Sequence, residues 1–252
     1  MLNGYRREHI LEHLSNHNRL TVSGVAASLN VSDETVRRDL KDLEKEGLLR
    51  RVHGGAIGVS PNRDDPISER VQKHAKEKRI IAKLAADMIS DRTSIFLHIG
   101  STTEALASQL GGFSDLKVYT NSLNVAKIAR DHFGVTVFVA PGQLRKIELD
   151  LVGYDTISYL EGYNFDTAFM SVAGIDPERG FMDFEEDEVR IRQTLLKCAR
   201  NKVVMADASK YGKTANMVTA PFEAIDRFVT DRKPDLDYAR RFRKAGMKVI
   251  HG

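Results

Sequence analysis

Residues 1–57 carry three short helical patterns followed by an alternating one. Ile10 and Leu14 stand four apart in a polar segment, which predicts a helix from about Tyr5 to His17. Val22, Val25, Ala26 and Leu29 mark a short second helix behind Thr21, an N-cap candidate. Asn30-Val31 makes a tight break. Ser32 caps a third helix whose first turn holds Asp33 and Glu34, favoured at the positive end of a helix dipole. Val36, Leu40 and Leu43 form its apolar stripe, and Gly47 closes it. The alternation and glycine pair of the stretch from Leu48 to Ala56 predict a small hairpin.

A polar stretch with two prolines, Gly58 to Pro66, opens an expected linker over residues 58–72. From Lys73 onward a helical pattern places Ile80, Ile81, Leu84, Ala85 and Met88 on an apolar face. Strand-like runs then alternate with helical ones: Ser94 to Ile99, Leu116 to Thr120, Val135 to Ala140, Thr167 to Val172, Val203 to Ala206, Phe228 to Thr230, and Met247 to Ile250. This order predicts an α/β domain with a largely parallel sheet over residues 73–252, preceded by a winged helix-turn-helix over residues 1–57.

Composition narrows the setting. The chain has 252 residues, 42% hydrophobic and 29% charged, the balance of a globular protein with a real core. No run approaches the roughly 20 apolar residues of a membrane span and no apolar signal region follows the N-terminal charges, so a cytoplasmic protein is expected. The single cysteine, Cys198, lies in an apolar helical pattern and reads as core. Formal net charge is only +3, and up to Ile57 there are 9 Lys and Arg against 8 Asp and Glu. DNA binding therefore has to rest on a few placed side chains, not on a general basic field.

A short helix, a tight turn and a third helix with Thr35, Arg37 and Arg38 on its exposed first turns make a helix-turn-helix. Arginine can make paired hydrogen bonds to guanine, and Thr35 can reach a phosphate or a base methyl. Arg50, Arg51 and His53 on the hairpin are placed for phosphate. The competing reading pairs Arg37 and Arg38 with Asp33, Glu34 or Asp42 as ordinary surface charges. His9, His13 and His17 share one helix face, but no acidic or cysteine partner stands at metal-site spacing, so no metal and no cofactor are expected.

In open α/β sheets, ligands bind beyond the carboxyl ends of the strands. Gly100-Ser101-Thr102-Thr103 follows the strand through Ile99 and starts a helix, offering hydroxyls and helix-start N–H groups to a phosphate. Thr120-Asn121-Ser122 and Asp207-Ala208-Ser209-Lys210 stand at two further strand ends, and Gly142 and Arg145 follow a fourth. Each hydroxyl cluster can equally be a helix cap.

The run Val31-Ser32-Asp33-Glu34-Thr35-Val36-Arg37-Arg38-Asp39-Leu40, with Arg51-Val52-His53-Gly54-Gly55-Ala56 behind it, resembles the helix-turn-helix of the DeoR family of bacterial repressors. The Ile-Gly-Ser-Thr-Thr, Thr-Asn-Ser and Asp-x-Ser-Lys motifs extend that resemblance to the family's sensor domain. Asp183 to Arg190 is similar to the glycerol-3-phosphate repressor branch. His98 stands where an acid is common in the family, and Pro141-Gly142 where two glycines are. The resemblance implies an operator face of Ser32, Thr35, Arg37 and Arg38, and a sensor similar in fold to ribose-5-phosphate isomerase. It further implies a phosphorylated sugar or polyol as effector. A homodimer or homotetramer on double-stranded operator DNA is expected from paired half-sites.

The alternative is a sugar-phosphate isomerase with an appended DNA-binding domain. Such chemistry needs a carboxylate base beside the substrate. The stretch Val172 to Asp176 holds a single acid, and Glu185 to Glu188 reads as a solvated helix start, so binding without turnover is expected.

Overall fold

A computed structural model of the protein describes residues 3–17, 19–46, 48–58 and 65–252. Gly47 and the 59–64 part of the expected linker lie outside the described residues, as do the side chains of residues 3, 15, 16, 50 and 58. The chain divides into two compact units, residues 1–63 and 64–252.

The first unit runs α1 (Asn3–His17), β1 (Arg19–Thr21), α2 (Val22–Leu29), α3 (Asp33–Lys45), β2 (Leu49–Val52) and β3 (Gly55–Gly58). The predicted caps form: Thr21 accepts from the Gly24 N–H at 3.1 Å and Ser32 from the Thr35 N–H at 3.3 Å. Asn30 takes the left-handed conformation (φ 50°) that ends α2. The three strands pair antiparallel in the order β1-β3-β2. Glycine is required at 55, where a Cβ would come within 2.0 Å of the Leu20 carbonyl oxygen. Ile10, Leu14, Leu20, Val25, Leu29, Val36, Leu40, Leu43 and Leu49 bury together, so the stripes read from periodicity are the core faces.

The second unit begins with α4 (Ile67–Arg70) and α5 (Ala75–Ala86), then β4 (Ser94–Leu97), α6 (Ser101–Ala107), β5 (Leu116–Thr120), α7 (Leu123–Ala129) and β6 (Val135–Val139). A hairpin follows, β7 (Gln143–Arg145) and β8 (Asp150–Val152), then α8 (Tyr154–Glu161), β9 (Phe165–Ser171), β10 (Gly174–Asp176), β11 (Gly180–Asp183), α9 (Glu186–Cys198) and β12 (Ala199–Met205). The chain continues through β13 (Met217–Ala220), β14 (Arg227–Thr230), α10 (Leu236–Lys244) and β15 (Lys248–His251).

Seven strands form one parallel sheet in the order β15-β14-β12-β9-β4-β5-β6. Successive side chains leave a strand on opposite faces. Ile95, Leu97, Phe169, Val203 and Met205 therefore pack with α5, α6 and α7. Their neighbours Phe96, Ala168, Met170 and Val204 pack with α8, α9 and α10. Cys198 is buried in that second layer, as expected of a core residue, and burial pushes its thiol up. From β4 the chain winds outward through β5 and β6, whereas β9, β12, β14 and β15 extend the sheet the other way. The direction thus reverses between β4 and β9, and a crevice opens at such a switch point. The antiparallel sheet β10-β11-β13 was not legible from the alternation of strands and helices.

Residues 65–72 fell within the expected linker, and in the structure they pack on the second unit. Ile67 is buried, and Arg70 pairs with Glu148 at 2.5 Å. Among the described residues no helix is long and apolar enough to cross a membrane.

Candidate functional site

The helix-turn-helix presents its third helix as the pattern requires. Val36, Leu40 and Leu43 turn inward, leaving Ser32, Arg37 and Arg38 exposed and Thr35 half-buried. The Ser32 and Thr35 hydroxyls lie 2.9 Å apart. The expected competing pairs with Asp33, Glu34 and Asp42 do not form: among the described residues no carboxylate holds Arg37 or Arg38. The acid that follows them in sequence, Asp39, is buried and takes two hydrogen bonds from Arg6, at 2.7 and 3.1 Å. Two arginines thus stay available while their neighbour is neutralised from α1. On the wing, His53 is exposed at the hairpin turn. Arg51 is exposed beside Glu44 at 4.0 Å, and its backbone N–H donates to that carboxylate at 2.7 Å. Arg50 lies in β2, and its side chain is outside the described residues. His13 and His17 stack ring on ring at 4.5 Å.

In the second unit a cavity of about 430 Å³ opens at the switch point. Its floor comes from strand ends: Ser101 and Thr102 beyond β4, Ser171 and Val172 at the end of β9, and Asp207, Ser209, Lys210 and Lys213 beyond β12. Its other wall is the segment from Asp65 to Lys78, through Arg70, Lys73 and His74. Arg70, Lys73, Lys78, Lys210 and Lys213 face two carboxylates, Asp65 and Asp207, so the lining is cationic. Asp207 is buried and caps its own turn by accepting from the Ser209 N–H at 2.9 Å. Lys210 closes that turn and lines the cavity.

Four of the residues expected at an effector site meet here: Ser101, Thr102, Asp207 and Lys210. The others are engaged around it and do not line this cavity. Gly100 begins α6, packed so closely on Ser171 that a Cβ would come within 1.9 Å of its hydroxyl oxygen. Thr103 donates to the Gly100 carbonyl at 2.7 Å. Asn121 accepts from the Ile99 N–H and donates to the Leu151 carbonyl, which ties β4 to the β8 strand. Ser122 caps α7 by accepting from the Val125 N–H at 3.3 Å. Gly142 packs on the backbone of Val152. Arg145 forms ion pairs with Asp150 and Glu188, each at 2.7 Å, and with Glu185 at 3.6 Å.

Arg145 belongs to a buried charge network. Glu188 is shared between Arg145 and Arg192, the latter at 2.9 Å, and Arg192 also lies 3.0 Å from Asp183. Burial alone would keep the Glu188 proton on. The charges of Arg192, Arg145 and Arg70 outweigh it and hold the group down at about 2. Burial likewise opposes the Arg145 charge, but hydrogen bonding to Asp150 and the charge of Glu188 raise its pKa beyond the usual arginine value. His98 is fully buried beside this network. Burial, reinforced by the Arg192 charge, holds its pKa well below 6.5, so at neutral pH it is an uncharged imidazole. Its Nδ1 lies 3.2 Å from the Ile99 oxygen, and its Nε2 has no hydrogen-bond partner. Of the acids weighed for isomerase chemistry, Glu188 is committed to its arginines and Asp176 to the backbone N–H groups of Glu178 and Arg179.

Sequence reasoning passed over the 65–72 part of this wall, which read as linker, and read the stretch from Lys73 as a helix without assigning it a ligand role. It passed over Ser171 because that hydroxyl ends a strand without starting a helix. Ser171 did carry a usable signal, a polar residue closing the apolar run from Thr167 to Val172.

Comparison with known proteins agrees along the whole chain. The model of the DeoR-like helix-turn-helix domain matches residues 6–62, and that of the DeoR C terminal sensor domain matches residues 73–232. The chain is 33% identical to the HTH-type transcriptional regulator GolR of Listeria innocua, over 97% of this chain and 96% of that one. It is 32% identical to the HTH-type transcriptional repressor GlcR of Bacillus subtilis, over 96% and 93%. Identity to the glycerol-3-phosphate regulon repressor of Escherichia coli is 29%, over 91% of each. Among solved structures, a D-ribose-5-phosphate isomerase in complex with phospho-erythronic acid superposes with a TM-score of 0.41 at 20% identity, covering 55% of each chain. The value is 0.45 at 11% identity for eIF2B beta of Chaetomium thermophilum, covering 61% of this chain and 48% of that one.

Proposed function

Because the chain belongs to the DeoR family of transcriptional regulators, we propose that it represses a carbohydrate or polyol catabolic operon and leaves its operator when a phosphorylated sugar or polyol fills the cavity at the β4/β9 switch point. The observation that carries this reading is the composition of that cavity. Strand-end hydroxyls of Ser101, Thr102 and Ser171 share the lining with five lysine and arginine side chains, three of them on the opposite wall, and with a buried carboxylate, Asp207. Hydroxyl and cationic donors suit phosphate oxygens, and a carboxylate suits the hydroxyls of a polyol.

On the DNA side, Arg37 and Arg38 read base edges from α3, Thr35 and Ser32 fix its register, and Arg50, Arg51 and His53 of the wing hold phosphate. Two or four copies place these helices on paired half-sites. The effector acts by binding one arrangement of the protein more tightly than the other, and only that difference can shift DNA affinity.

The test is a thermal-shift screen of phosphorylated sugars and polyols beside their unphosphorylated forms. A ligand that prefers the native state raises the melting temperature. Stabilisation by the phosphorylated members alone is expected, and equal response to both forms overturns the reading. Turnover of ribose 5-phosphate would instead favour the isomerase alternative.

A further inference from the structure

The cavity wall from Asp65 to Lys78 is tied down at two kinds of contact, and the difference between them sets what a ligand can move. Its buried contacts are permanent in character. Ile67 is buried, Arg70 pairs with Glu148 with both side chains largely shielded, and the buried Lys78 ammonium donates to the carbonyls of Arg70 and, at 2.6 Å, Lys73. The Lys73 backbone is also held by its own N–H, which donates to the Glu69 carbonyl at 3.3 Å. His74, next in the chain, takes the left-handed conformation (φ 54°, ψ 38°) and accepts the first hydrogen bond of α5 from the Lys78 N–H.

The Lys73 side chain is held differently. Its ammonium reaches Asp65 at 2.5 Å, and the two side chains are 46% and 37% exposed. An ion pair in that setting contributes little, because water screens both charges. Both residues line the cavity. A ligand anion entering there competes with Asp65 for a cation whose backbone is already fixed, and the exchange costs no chain ordering.

We propose that Lys73 is the exchangeable cation of this cavity. Without ligand it is held by Asp65; a bound phosphate takes it over, and Asp65 gives up that ion pair. This rests on the reading of the cavity as a phosphate site. Asp65 is the first described residue after the 59–64 stretch that joins the two units in sequence. Loss of the Lys73 pair therefore changes the charge pairing at the end of that joining stretch, which gives the effector a covalent route toward the DNA-binding unit.

The test is a double-mutant cycle on anion affinity in the full-length protein. Inorganic phosphate and glycerol 3-phosphate are the probes, at ionic strength matched with sodium chloride, in wild type, Lys73→Met, Asp65→Asn and the double variant. Lys73→Met should weaken phosphate binding about tenfold or more, the loss of a charge-assisted hydrogen bond. Asp65→Asn should tighten it by up to about fivefold, since its competition is removed. In the Lys73→Met background the Asp65→Asn gain should shrink, because the part of it that comes from freeing Lys73 is gone. An equal gain in both backgrounds means that Asp65 acts only through its field, and overturns the exchange. A second reading uses a duplex selected in vitro by the wild-type protein. The ligand-induced fold-change in DNA affinity should shrink in Asp65→Asn, and an unchanged ratio overturns the route through Asp65. If neither probe binds wild type, the phosphate reading of the cavity fails and the exchange with it. Binding with an additive cycle leaves that reading intact and overturns the exchange alone.

Discussion

Arg145 on the β7–β8 hairpin donates from Nη2 to Glu188 Oε1 on α9 at 2.7 Å, and the same nitrogen reaches Asp150 Oδ2 at 2.7 Å. One guanidinium thus neutralises two buried carboxylates that would otherwise repel each other. This is structural employment for a residue whose sequence position, just past a strand end, equally fits ligand binding.

Removing that cation leaves Asp150 and Glu188 buried with one partner fewer. Arg145→Ala should lower unfolding free energy by about 3–5 kcal/mol, read from denaturant midpoints. If Arg145 instead served the ligand, the variant would keep its stability and lose phosphate affinity.

Ser122 makes the same distinction on a smaller scale. Its hydroxyl caps α7 from a fully buried position. Ser122→Ala should cost about 1 kcal/mol of stability and leave phosphate affinity unchanged. Lys210→Ala should do the reverse, because Lys210 lines the cavity: stability and DNA binding persist while the dose curve for effector release moves to higher concentration. An unmoved dose curve removes Lys210 from the site.

On the DNA unit, Arg38→Ala should cost about 1–3 kcal/mol of affinity for a selected duplex, with relaxed preference at the base it reads. Because Arg38 is exposed and holds no carboxylate among the described residues, its melting temperature should stay within error of wild type. Retained sequence preference rejects its assigned role.

Stability should also fall as the solution is acidified below pH 6.5. The unfolded chain protonates His98 near that value, whereas the folded chain resists because the imidazole is buried and lies near Arg192. The unfolded state then binds more protons, so stability present above 6.5 is lost as pH drops, with a slope of at most about 1.4 kcal/mol per unit. Glu188, held at about 2 against an ordinary 4.5, adds a second loss between those values. Asp150, Glu148 and Glu104, raised by burial, pull the other way near 4.5, so the His98 step is cleanest between pH 6.5 and 5. His98→Asn should flatten the curve in that window; a curve parallel to wild type contradicts the assignment.

The local patterns carried the first unit almost entirely. Thr21 and Ser32 are caps in the structure as they are in the sequence, and Val36, Leu40 and Leu43 are its core. Helix periodicity and capping involve residues within four positions of one another, so the chain order itself contains the answer. The strands of the sheet were legible for the same reason, since an apolar run bounded by polar residues is a local signal. The family followed from motifs of the same local kind.

The cavity was decided by tertiary structure. Gly100 to Thr103, Asn121-Ser122, Arg145 and Asp207 to Lys210 all stand at or just beyond strand ends, and by chemistry alone each could cap, pair or bind. Strand order separates them. β4 and β9 are neighbours across the switch point although about seventy residues apart in sequence, and this brings Ser101 and Ser171 to one space. The buried acids Asp150 and Glu188 draw Arg145 into their own network. The opposite wall comes from residues 65–78, a mostly polar and charged stretch, because burial of Ile67 and the Arg70–Glu148 pair depend on partners that no local pattern reveals. A polar side chain's role is set by what lies within about 3 Å of it, and between residues distant in sequence only the fold determines that.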